Sequence, residues 1–203
     1  MSAIQNAEKK PKVLIQSSAV GYYGAGKDEL ITETHPAGDD FVSNICKRWE
    51  ASTAEVEKLG VRRVIIRTGI VLDAHHGALA RMILPFKFFI GGKIGNGQQF
   101  LPWVHIQDEV RVIKFFLEQE HTNGAYNICA PNPVTNAQFA HILGRVLKRP
   151  SLIPTPATAI KILFGEMSTI VLTGQRAIPE RLSQVGFKFN YQFLGNALNE
   201  ILL

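Results

Sequence analysis

Apolar residues fall along this chain in two distinct rhythms. In the first, short β-branched runs are uninterrupted: Val13-Leu14-Ile15, leading into Ser17-Ser18, and Arg63 to Val71 (RVIIRTGIV). Runs of this kind belong to parallel strands covered on both faces. In the second, apolar residues recur every three or four positions. Phe41, Ile45, Trp49, Ser52, Val56 and Leu59 predict one helix stripe that packs on the sheet, capped by Asp39 or Asp40 and stopped at Gly60. Strand, helix, strand gives a β-α-β unit, and a doubly wound parallel sheet is the expected fold class.

The remaining pattern extends this plan. Ala3 to Lys10 reads as the end of a helix closed by Pro11, as though the chain were entered partway through a fold. Ala78 to Phe89 is apolar and helical in pattern despite Pro85, and Gly91 to Gly97 reads as a loop. Trp103 to Ile106 predicts a short strand. Asp108 to Glu120 predicts an amphipathic helix through Val110, Ile113, Phe116 and Leu117, and Ala125 to Cys129 another strand. Beyond Cys129 prolines multiply, and Thr135-Asn136-Ala137-Gln138 is a capping box. The expected division is an α/β domain over residues 1–128 and a second small α/β lobe over 129–203, with 74–102 contributing to that lobe.

Composition narrows the function classes. Of 203 residues, 46% are hydrophobic, enough for a sizeable core, yet no apolar run approaches the roughly 18 residues of a membrane span. The polar N-terminus carries no signal-peptide core, so a cytoplasmic protein is expected. Two cysteines, Cys46 and Cys129, make neither a disulfide framework nor a metal cluster. The net charge of +5 is scattered, which suits a solvated surface or a phosphorylated small ligand better than nucleic acid. His75-His76 reads as a solvated loop pair rather than a metal site, and His105 as a structural histidine.

Several ordered motifs carry a resemblance. SSAVGYYG, DDFVSNICKRWE, RTGIVL, LPWVHIQDEV, GAYNICAPNPVTNAQFA and GFKF resemble the extended, atypical branch of the short-chain dehydrogenase/reductase superfamily. More narrowly they resemble bacterial proteins described as sugar-nucleotide epimerase-like and sometimes as cell-division inhibitors. The resemblance implies a Rossmann-like domain that binds NADP (or NAD), a small-molecule substrate, and no nucleic-acid or membrane partner. It implies catalytic roles for Ser18, Tyr22 and Tyr23, and cofactor contacts from Ser17, Ser18, Arg67, Thr68 and Gly69.

Departures from the family pattern shape the expectation further. The family's Gly-rich phosphate turn has no counterpart here, so the chain is expected to lack the N-terminal part of the nucleotide-binding sheet and to self-associate through an exposed strand. The superfamily's catalytic Tyr-x-x-x-Lys pair maps, when anchored on Glu50, to Val42 and Cys46. Tyr23 and Lys27 match the spacing literally, but the glycines between them argue against a helix. By register from Tyr23-Gly24 the substrate-orienting hydroxyl position falls on Ala19, one residue past Ser18. Ile70 and Leu101 stand where sugar-nucleotide enzymes carry Asn and Arg. Ser18 either orients substrate or is satisfied by backbone; Tyr22 and Tyr23 face the crevice or pack within it; Cys46 is a weak acid or a small buried hydrophobe. The implied function is an NAD(P)-dependent epimerase or oxidoreductase. The alternatives are a non-catalytic nucleotide-binding or regulatory protein and an inactive truncated product.

Overall fold

The structure, a computed structural model, describes residues 2–26, 28–165, 168 and 172–203. A short helix α1 (Ser2–Asn6) precedes strand β1 (Val13–Ala19). A 3₁₀ turn, Val20–Tyr23, ends at Gly24, and β2 (Leu30–Ile31) follows. Helix α2 (Phe41–Ala51) leads to β3 (Arg62–Thr68) and β4 (Ile70–Leu72). Then come α3 (Gly77–Lys87), β5 (Phe100–Leu101), β6 (Trp103–His105), α4 (Ile106–Glu118) and β7 (Gly124–Ile128). The chain continues through β8 (Val134–Thr135), α5 (Asn136–Leu147), α6 (Ala157–Phe164), β9 (Arg176–Ala177), α7 (Glu180–Gln184) and α8 (Leu194–Leu202).

The main sheet is parallel, in the order β1-β3-β7. Successive strand residues face opposite sides. Val13, Ile15, Val64 and Ile66 join the core under α4, with Val112, Phe116, Tyr126 and Ile128. Ser18 and Arg67 turn the other way, toward Glu50 on α2. Helices therefore cover both faces, as the pattern predicts.

A second core gathers Leu72, Leu79, Ile83 and Phe86 with Trp103, Phe139, Leu143 and Leu198. It joins α3 to the packed pair α5 and α8. Thr135 caps α5 through the complete capping box read from the sequence, and Pro85 sits within α3 without ending it.

Four elements differ from expectation for identifiable reasons. The strand over 63–71 breaks at Gly69, where the backbone presses against the Pro102 carbonyl so closely that a Cβ has no room; β4 leaves to pair with β6. The helix after Asp40 is two pieces, α2 and a 3₁₀ segment Ala54–Leu59 ending on left-handed Gly60. Its inward face is also not the expected stripe: Phe41 and Trp49 are 73% and 53% exposed, whereas Ser43, Cys46 and Glu50 are buried. An ion pair rather than apolar contact sets that rotation. On α4, Val110 and Leu117 lie outside and Asp108, Glu109, Val112 and Phe116 inside, again because polar partners wait there. Finally, Val13 to Ile15 are only half-buried. Among the described residues β1 pairs with β3 alone and stands at the sheet's edge.

Candidate functional site

Strands β1 and β3 end together, with Ala19 opposite Thr68. The carboxyl ends of parallel strands are where α/β sheets hold ligands. A crevice of about 300 Å³ opens there, lined by Ala19, Val20, Gly21, Val42, Thr68, Gly69 and, from across it, Leu101, Pro102 and Gln175. Its walls are tied by backbone. The Gly26 N–H donates to the Gly174 carbonyl at 2.9 Å, and the Gln175 amide donates to the Gly24 carbonyl at 2.6 Å. Gly174 itself packs on the Phe100 carbonyl with no space for a side chain. Asp40 caps α2 through the Ser43 N–H at 2.8 Å and also accepts from the Ala25 N–H at 3.0 Å, which fixes the loop above the crevice.

Beside the crevice, on the α2 face, lies a buried polar network. Arg67 forks onto Glu50, with Nε to Oε1 and Nη2 to Oε2 both at 2.9 Å, and both residues are buried. Ser18 donates its hydroxyl to Glu50 Oε1 at 2.8 Å. Arg67 Nη1 donates to the Tyr23 oxygen at 3.0 Å, and the Tyr23 hydroxyl donates to Asn127 Oδ1 at 2.7 Å. The Arg67 guanidinium also lies 3.4 Å from the centre of the Tyr22 ring, a cation–π stack. Burial disfavours the Arg67 charge, but the Glu50 and Tyr23 contacts outweigh it and hold the arginine firmly protonated. Burial pushes the Tyr23 phenol up to about 12 despite Arg67. A phenol so placed holds its proton at neutral pH.

The sequence-derived candidates therefore separate by location. Thr68 and Gly69 line the crevice. Ser18, Tyr23 and Arg67 are knitted into the network, Tyr22 stacks on it, and Ser17 is exposed on β1. Tyr23 closes a 3₁₀ turn, and Lys27 of the literal spacing match lies outside the described residues. Val42 lines the crevice where the superfamily places its tyrosine. Its methyl would meet a Cβ on Gly21 at 2.6 Å, so the two residues are in direct packing contact. Cys46 behind it is buried, and burial raises its thiol pKa. His105 is structural. Its ring accepts the Gln107 N–H at 3.1 Å, stacks on Tyr191 at 3.8 Å, and lies 2.7 Å from Glu200.

Two carboxylates escaped the sequence reading, Glu33 half-buried and Glu109 buried. Glu33 accepts the N–H groups of Asn127 at 3.0 Å and Arg181 at 3.2 Å, and burial raises its pKa. Glu109, in the first turn of α4, accepts the Thr68 hydroxyl at 2.9 Å, and burial pushes its carboxyl up to about 7. An acid pair at a helix start reads as a solvated N-terminus, which hid Glu109. Its one sequence signal is position, since it follows Asp108, and both lie one turn before the core residue Val112 and two before Phe116.

Comparison with known proteins settles the lineage. The human epimerase family protein SDR39U1 is 39% identical over 202 residues, covering 98% of this chain and 69% of the relative. This chain belongs to that epimerase family. The chloroplastic SDR39U1 homologue of Arabidopsis thaliana is 41% identical over 196 residues, 97% of this chain and 56% of the relative. The chain thus spans little more than half the length of the plant protein. The crystal structure of human SDR39U1 (isoform 2) with NADPH superposes at a TM-score of 0.92 with 38% identity, over 98% of this chain and 68% of that one. A family model described as a domain of unknown function, DUF1731, matches residues 155–201. The fold is Rossmann-like α/β, of the short-chain dehydrogenase/reductase type.

Proposed function

We propose that the crevice at the ends of β1 and β3 receives the nicotinamide end of NADPH, beside a small-molecule substrate whose identity the fold leaves open. The observation that carries this reading is the crevice itself: a slot walled by Ala19, Val42, Gly69 and Leu101 at the carboxyl edge of a parallel sheet. The NADPH in the human relative's crystal supports it. The slot fits a flat ring, since small or apolar side chains and bare glycine backbone form most of its wall. Ala19, Val42, Thr68 and Gly69 would hold the ring, and a bound nicotinamide supplies or accepts hydride there.

The phosphates fare differently. Among the described residues β1 runs into a 3₁₀ turn rather than a glycine turn opening an α-helix, so no helix N-terminus faces them there. Binding by this chain is therefore weak, with a Kd above about 100 μM. Calorimetric titration with NADPH tests this. Weak saturable binding that Val42→Trp abolishes supports the reading. Low-micromolar binding, or none at millimolar NADPH, overturns it.

The same reading includes two lobes, residues 1–128 and 129–203 with 74–102 joining the second; the core that packs α3 against α5 and α8 supports it. It also includes self-association through the β1 edge and a cytoplasmic site of action. No helix among the described residues is long and apolar enough to cross a membrane.

A further inference from the structure

The superfamily position for an acid–base tyrosine holds Val42, and its lysine position holds Cys46. The crevice nevertheless has one proton-bearing side chain in reach of a buried acid. Thr68 is part-exposed at the crevice floor, and Glu109 sits behind it, 8% exposed, joined to it at 2.9 Å. The other carboxyl oxygen of Glu109, Oε2, is buried with no hydrogen-bond partner among the described residues. A half-satisfied buried carboxyl calls for an explanation.

We propose that Glu109 acts through the Thr68 hydroxyl as proton donor and acceptor for the oxygen of an alcohol or carbonyl compound bound in the crevice. The inference rests on the crevice being a substrate site, as proposed above. Thr68 supplies the atom that touches the ligand, and Glu109 is the positioning residue behind it.

The surroundings favour a carboxyl that exchanges its proton. From β3 the group that meets Glu109 is Thr68. From the end of β7 comes Cys129, whose thiol burial holds protonated and which donates to the Ala177 carbonyl at 3.3 Å. On α4 itself Asp108 is fully engaged, by Arg111 at 2.6 Å and by the N–H groups of Asn190 and Tyr191. Arg67 lies on the opposite face of β3 with Glu50. No ion pair to Glu109 occurs among the described residues. Burial disfavours its charge, and the Thr68 hydroxyl offsets only part of that.

The step balances. The proton leaves Glu109 Oε1 for Thr68 Oγ1 while the Thr68 O–H proton passes to the ligand oxygen, as a hydride donor of the dihydronicotinamide class reduces its carbon. Glu109 ends as a carboxylate accepting the new Thr68 O–H, the arrangement the 2.9 Å contact describes. Oxidation of an alcohol runs the same path backward.

Infrared spectroscopy of the full chain reads this route without substrate. Near pH 6 the protein should show a protonated-carboxyl stretch that is absent in Glu109→Gln. Transfer into D₂O should shift that band quickly in the wild type and in Thr68→Ser. In Thr68→Val the shift should slow on the order of a hundred-fold, the low end of what a positioned proton-transfer group contributes. Thr68→Ala carries the same comparison should valine not fold. A band that survives Glu109→Gln, or equal exchange with and without the Thr68 hydroxyl, overturns the inference. NADPH titrated into the same samples separates the two proposals. Binding without Thr68-dependent exchange removes the proton route alone. Thr68-dependent exchange without binding removes the nicotinamide reading alone.

Discussion

Glu50 and Arg67 show what a buried charge does in this chain. Each is shielded from water and bonded by the other, Glu50 also by Ser18 and Arg67 also by Tyr23. Removing one partner leaves the other charge unmatched, which costs about 3–5 kcal/mol. Glu50→Ala should therefore lower unfolding stability by that order in urea titration, while Ser18→Ala, losing one hydrogen bond, should cost about 1 kcal/mol. A Glu50→Ala chain as stable as wild type would mean the pair is not formed. In the sequence Glu50 served only to align a motif, because a charged residue on a helix reads as solvated until its partner on another strand is known.

Glu109 adds a pH signature. Its folded pKa, about 7, is raised above the unfolded value near 4.5. A raised carboxyl contributes stability that is complete below the unfolded pKa and lost as pH rises through the folded one. Thermal unfolding should show stability falling between about pH 4.5 and pH 7, by roughly 1–3 kcal/mol from this group. In Glu109→Gln that slope should flatten, with the variant gaining on wild type at the alkaline end. An unchanged slope would place the titration elsewhere.

At the scale of elements, the helices were legible in place more than in length or rotation. The cap at Asp40, the capping box at Thr135 and the stop at Gly60 stand as the local residues dictate. The faces of α2 and α4 do not follow their apolar stripes, because buried polar partners on β3 and near Asn190 outweigh a few exposed side chains. Singly exposed apolar residues cost little. Hence Trp49→Ala, at a position 53% exposed, should change stability by no more than about 0.5 kcal/mol, whereas Phe116→Ala, fully buried on the inner face of α4, should cost about 3–5 kcal/mol. The reverse order would restore the stripe as the packing face. The crevice was legible in part: Thr68 and Gly69 come from the motif that closes β3, but the walls from Leu101 and Gln175 are brought by the tertiary fold from far along the chain.

For the whole molecule, the order β1-β3-β7 leaves β1 with one described neighbour and with half-buried Val13, Leu14 and Ile15 on its faces. Open edges of this kind pair with other chains. Size exclusion with light scattering should show mass rising with concentration, and breaking the edge with Leu14→Pro should reduce it; a monodisperse monomer throughout would show that the edge is protected. The resemblance made the parallel sheet and the family legible from motifs alone. An exposed edge strand was expected from the missing glycine turn, but that β1 forms it was not legible, since a run of β-branched residues looks the same whether or not a second strand lies beside it. The central claim is that the crevice takes the nicotinamide end of NADPH. Saturation-transfer NMR on the chain with NADPH reads it directly. The account predicts transfer to the nicotinamide protons, weaker transfer to the adenine protons, and loss of the nicotinamide signal in Val42→Trp. Transfer confined to adenine, or unaffected by Val42→Trp, would contradict it.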